Sequence, residues 1–205
     1  MTNLGVLGAL GGSGFSFKQL VVCMVAASML ASGYAQMPSA ATLPEALQGV
    51  GIDQRLNEQL PLDVTFRDER GEELRIGQYF GQRPVVLIFA YYECPMLCTL
   101  VLNAVLRAMR ALQFTAGREF EVVTVSFNPR ETPELAKAKK ESYLSRYGRP
   151  QGINGWHFLT GDEPSIQKLT QAAGFHYKYD AQRNEYIHAS GIMVLTPEGK
   201  LARYF

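Results

Sequence analysis

The stretch Arg83 to Tyr92, RPVVLIFAYY, limits the fold more than any other part of the chain. Seven consecutive apolar residues, Val85 to Tyr91, are rich in branched and aromatic types. A strand of that composition leaves neither face to water, which predicts a central sheet strand covered on both sides. Cys94 and Cys98 follow at once in ECPMLC, and then a helical run, Met96 to Leu112. In that run Leu97, Leu100, Val101, Ala104, Val105, Ala108 and Leu112 are expected to form the buried stripe, with Asn103, Arg107 and Arg110 off it. Pro95 suits a first helical turn, where its missing N–H is not needed. Cys94 is therefore placed at the mouth of a helix.

The remaining segments complete an alternating pattern. Asp63 to Leu74 reads as a hairpin turning at Asp68 to Gly71. Phe120 to Pro129 is a second buried strand. Thr132 to Gly148 is a helix with Thr132 as N-cap, Pro133 at its first position and Gly148 as its stop. Trp156 to Gly161 is a short strand and Glu163 to Gly174 a helix. Phe175 to Ser190 holds strand pieces around a turn at Ala181 to Asn184, and Gly191 to Phe205 a hairpin turning at Pro197 to Gly199. This order predicts an α/β fold, a thioredoxin-like sandwich around a central mixed sheet, over residues 62–205. Residues 36–61 are assigned to a linker and N-terminal extension that wraps the surface. Such a fold normally closes with a helix after its last hairpin, so the C-terminal helix is expected to be missing from a truncated chain.

Bulk properties exclude several classes. The chain has 205 residues and a formal net charge of +1, which gives no basic face for nucleic acid. Three cysteines are too few for a disulfide framework. Residues 1–35 read as an export signal: Lys18, then the apolar core Leu20 to Ala31, then Gly33-Tyr34-Ala35 with cleavage after Ala35. The apolar run falls short of the roughly 20 residues of a membrane span. The alternative is an uncleaved anchor tethering the protein through residues 20–35. Cys23 would leave with a cleaved signal. The working domain is then expected outside the cytoplasm, in the periplasm or on the outer face of the inner membrane. A dithiol there is either kept reduced by a thiol reductant protein or carries metal.

A helix N-terminus favours a thiolate, which is both a nucleophile and a soft metal ligand. Three intervening residues put Cys94 and Cys98 near an i, i+4 relation, with Cβ atoms about 5–6 Å apart. A disulfide prefers about 3.8 Å. The spacing suits two sulfurs around one metal, while a redox pair and an inert buried pair stay open. Among the histidines, His157 is read as a core or face residue of a strand, and His176 as an ordinary surface or half-buried residue. His188, in YIHASG, is placed in a loop before the last strand pair, beside the cysteine helix. Two thiolates and one imidazole suit copper, since sulfur favours Cu(I) and nitrogen accommodates Cu(II).

With these residues assembled, the chain resembles the Sco/SenC family of thioredoxin-like copper proteins from about Pro84 to Phe205. The resemblance is carried by FAYYECPMLC, VVTVSFNPRETP, WHFLTG and HASGIMVLTPEGK. It implies that Cys94, Cys98 and His188 are copper ligands. It further implies delivery of copper to the copper-receiving subunit and binuclear centre of cytochrome c oxidase, or thiol chemistry that prepares that centre. Three positions depart from the family pattern: Ile187 where an acid often precedes the histidine, Thr99 in place of proline, and Asn128 in place of aspartate. The competing function is a thiol–disulfide oxidoreductase with Cys94 and Cys98 as catalytic residues and His188 assisting proton transfer. A thiol peroxidase fits less well. It wants a hydroxyl residue just before the reactive cysteine, where only Tyr91 and Tyr92 stand.

Overall fold

The computed structural model describes residues 44 and 47–205 except residue 95. The expected export segment, Cys23 and Pro95 fall outside these described residues. In chain order the elements are β1 (Gly51–Ile52), β2 (Thr65–Arg67), β3 (Glu73–Arg75), β4 (Val85–Ala90), α1 (Leu97–Ala111), β5 (Glu121–Ser126) and α2 (Pro133–Tyr147). They continue with β6 (Trp156–Leu159), α3 (Glu163–Ala172), β7 (Phe175–Asp180), β8 (Glu185–His188), β9 (Ile192–Leu195) and β10 (Leu201–Tyr204). No helix among the described residues is long and apolar enough to cross a membrane.

The central sheet has five strands in the order β10-β9-β4-β5-β6. β4 lies parallel to β5, β5 parallel to β6, and β9 antiparallel to β4, so the sheet is mixed. Alternate residues of β4 and β5 enter different cores. Ile88 and Val122 pack with Leu102, Leu106, Tyr143 and Trp156 beneath α1 and α2. Leu87, Phe89, Val123 and Val125 pack with Ile166, Leu169, Phe175 and Met193 on the other face. A strand between two cores has no side to give to water, which is why Val85 to Tyr91 reads as an unbroken apolar run.

Local signals in the sequence are realised closely. Gly71 closes the β2–β3 turn at φ +82°, a conformation glycine adopts without strain, and donates to the Asp68 carbonyl. The Thr132 hydroxyl caps α2 by accepting from the Leu135 N–H, and Gly148 ends that helix in the left-handed region. Asp162 caps α3 in the same way through the Ser165 N–H.

Two features differ from expectation. The buried stripe of α1 is Cys98, Leu102, Val105, Leu106 and Met109. Leu97, Ala104 and Ala108 are exposed, and Leu100 is 58 % exposed. Thr99, Asn103, Arg107 and Arg110 share one face, and apolar residues cover the rest of the helix, so two stripes were available. Packing of the Cys98 sulfur under the loop leaving β4 selects between them. Second, residues 36–61 are expected only to wrap the surface, but β1 lies within them and joins β7 and β8. They form a separate three-stranded sheet in the order β1-β7-β8, with Gly51 opposite His176. The segment ahead of residue 62 thus contributes a strand to the fold, and Leu60 is buried in the core.

Candidate metal centre

The site lies where β4 ends. The chain leaves Ala90, turns through Tyr91 to Glu93, and enters α1 with Met96 at its N-cap. The turn is held from several sides. The Cys94 N–H donates to the Tyr91 carbonyl at 3.2 Å. The Tyr92 hydroxyl donates to the Leu159 carbonyl at 2.8 Å, tying the loop to β6. The carboxylate of Glu131, buried between β5 and α2, accepts from the Glu93 N–H at 2.9 Å and the Tyr92 N–H at 2.8 Å. It also accepts from the Ser126 hydroxyl at 2.5 Å.

Both cysteines are free thiols, Cys94 8 % and Cys98 3 % exposed. The Tyr91 N–H donates to the Cys98 sulfur, and the Cys98 N–H to the Cys94 sulfur, each at 3.4 Å. The two thiols are driven in opposite directions. Burial alone would raise Cys94, but the N–H groups of Cys98 and Met96 and the neighbouring thiol outweigh it and bring it below its ordinary value. Burial, reinforced by the adjacent Cys94, pushes Cys98 well above the ordinary range. Cys94 is therefore the readier thiolate, and Cys98 holds its proton until something replaces it.

His188 is the last residue of β8 rather than a loop residue, paired with Tyr177 on β7. Its ring packs against Tyr91 and Phe127. Nδ1 lies 2.7 Å from the Ala189 carbonyl and so carries the proton. Nε2 is left with its lone pair and faces the Cys98 sulfur at 3.5 Å. Burial lowers the His188 pKa against the opposing pull of the Ala189 carbonyl, which keeps the ring neutral. A ligating histidine usually needs its second nitrogen held by an acceptor. Ile187 cannot supply one, and the backbone carbonyl of the next residue does.

One ligand atom from each of Cys94, Cys98 and His188 lies within 4.8 Å of the other two. Donors about 2.0–2.3 Å from one metal stand roughly 3.5–4 Å apart in trigonal or tetrahedral geometry. Shifts of a fraction of an ångström to about one would let the three atoms hold a metal. The donor set is soft, with two sulfurs, one imidazole nitrogen and no carboxylate, which selects copper over hard cations. The other histidines are elsewhere. His157 meets Glu121 at 3.0 Å, and His176 meets Asp53 at 2.9 Å. Sequence reasoning missed Glu131 and the Ala189 carbonyl. The one available signal was an acid standing between the end of β5 and the cap of α2.

The SCO1/SenC family profile matches residues 53–205. None of the curated proteins compared matches the chain. Among solved structures, a putative electron transfer protein from Aquifex aeolicus VF5 is 27 % identical with a TM-score of 0.64, covering 73 % of this chain and 83 % of that one. Copper-bound ScoI from Bradyrhizobium japonicum is 22 % identical with a TM-score of 0.55, covering 69 % of this chain and 86 % of that one. BsSco is described as a member of the Sco family of cytochrome c oxidase assembly proteins with a disulfide switch. It is 17 % identical with a TM-score of 0.51, covering 76 % of this chain and 86 % of that one. The matched family, the thioredoxin-like fold it shares with these neighbours and the paired cysteines beside a histidine agree: the chain belongs to the SCO1/SenC family.

Proposed function

We propose that this protein binds one copper ion through Cys94, Cys98 and His188 and passes it to the binuclear copper centre of cytochrome c oxidase. The observation that carries the reading is the convergence of the three ligand atoms within 4.8 Å, with the His188 Nε2 lone pair turned toward the Cys98 sulfur. Membership of the SCO1/SenC family supports it. Copper is cargo here. The Cys94 thiolate receives it first, Cys98 loses its proton on joining, and the His188 nitrogen completes the set. Release reverses the order as the receiving protein's thiolates replace these donors one at a time. In this reading the protein works outside the cytoplasm, with residues 1–35 as export signal or residues 20–35 as tether. The partners are the copper-receiving oxidase subunit and a protein that keeps the dithiol reduced.

A second reading rests on the opposed thiols. In a thiol–disulfide oxidoreductase the Cys94 thiolate attacks a partner disulfide, forms a mixed disulfide and expels one partner thiolate. Cys98 then loses its proton to His188 and attacks the Cys94 sulfur. The partner leaves as a dithiol, two electrons richer, and Cys94–Cys98 is left as the disulfide. The high Cys98 pKa makes that second step slow without a base. Mixing copper-loaded protein with the soluble copper-binding domain of the oxidase subunit separates the two functions. Stoichiometric transfer of copper is expected. Reduction of that domain's disulfide by metal-free protein, with no copper transfer, would replace the first reading by the second.

A further inference from the structure

We infer that Glu131 is the positioning residue of the cysteine loop, fixing Cys94 against Cys98 for whatever chemistry the pair performs. The inference rests on the copper reading only where copper is the readout. Glu131 sits after β5, two residues before α2 begins, and its carboxylate holds the backbone of the loop that leads into Cys94.

 Two neighbouring N–H groups, those of Tyr92 and Glu93, each meet a different oxygen of the one carboxylate. The Ser126 hydroxyl holds the same group from β5. One buried side chain thereby locks the last two residues before Cys94 to the strand beside β4. Only a carboxylate can accept from both N–H groups at once, because an amide would turn its NH2 toward one of them. The Cys94 sulfur in turn receives the Cys98 N–H, so a shift of the loop moves the sulfur relative to the helix. The chain supplies an internal control. Glu121 is also buried on β5, but at its other end, held by Arg83 and His157.

The test compares Glu131→Gln, Ser126→Ala and Glu121→Gln with the wild type. In metal-free protein, amide exchange at Tyr92 and Glu93 should quicken at least tenfold in Glu131→Gln and stay unchanged in Glu121→Gln. In the Cu(II)-loaded protein, the same variant should shift the thiolate-to-copper absorption band and weaken affinity about 10–100-fold, the range for lost support of a ligand. Ser126→Ala should give a smaller change in the same direction, and it serves if Glu131→Gln does not fold. Glu121→Gln should lower the unfolding midpoint and leave the band in place. An unmoved band and unchanged affinity in a folded Glu131→Gln would overturn the assignment, as would an equal shift in Glu121→Gln. If the wild type takes up no copper, the copper reading falls by itself. The assignment of Glu131 is then decided by the dithiol–disulfide equilibrium of Cys94 and Cys98, which Glu131→Gln should shift and which, unshifted, would overturn it.

Discussion

His188 has one nitrogen committed and one free, and that division is what makes it a candidate ligand. The Ala189 carbonyl takes the Nδ1 proton, and the lone pair of Nε2 is left facing Cys98. Nitrogen contributes more to Cu(II) than to Cu(I), for which two thiolates supply most of the binding. His188→Ala should therefore weaken Cu(II) by about 10–100-fold or more and Cu(I) by less, read by competition with chelators of known affinity. The cysteines differ in a second assay. Cys94→Ser should abolish reduction of a model disulfide, and Cys98→Ser should accumulate a mixed disulfide visible by mass spectrometry. The cysteine pair was legible in residue type and spacing, and His188 was singled out by its place in the expected fold and by the family resemblance. The Ala189 carbonyl and the Glu131 clamp were not. A backbone acceptor has no signature in residue type, and one acid among many says nothing until the fold sets it beside two N–H groups.

At the scale of elements, the corrected face of α1 has a measurable consequence. Leu102 and Met109 face the core, and Leu100 stands in the open. Leu102→Ala and Met109→Ala should each cost about 2–5 kcal/mol, since they remove buried volume. Leu100→Ala should stay within about 0.5 kcal/mol, as surface changes do. Urea unfolding of the three variants checks the assignment, and the stripe read from sequence alone predicts the reverse for Leu100. The β2–β3 turn makes a second prediction. Asp68 is buried and accepts from the N–H groups of Arg70 and Glu72 and from the Arg70 guanidinium. Burial would raise its pKa, but these donors outweigh it and hold it below the usual 3.8. As pH falls, the unfolded chain takes the proton first. The stabilisation is complete above about pH 4 and is lost as pH drops through the folded value. Asp68→Asn should cost about 1–3 kcal/mol at pH 7 and progressively less below pH 4, measured by unfolding across that range.

Across the whole molecule, the sheet brings distant segments to one end. β4 delivers the cysteine loop, β5 leads to Glu131, and the β7–β8 hairpin brings His188 to Cys98 from 90 positions along the chain. The central strands and the turns could be read locally, from apolar runs, caps and glycines. The pairing of β1 with β7 could not, because two residues, Gly51 and Ile52, carry too little pattern to name a partner. A copper site of this kind depends on the whole fold, since it needs all three donors on one ion. Its most direct measurement is a copper titration of the reduced protein beside Cys94→Ser, Cys98→Ser and His188→Ala. One tightly bound equivalent is expected in the wild type, its loss in either cysteine variant, and a selective weakening of Cu(II) in His188→Ala. No uptake by the wild type, or affinities in both oxidation states unchanged by His188→Ala, would contradict it.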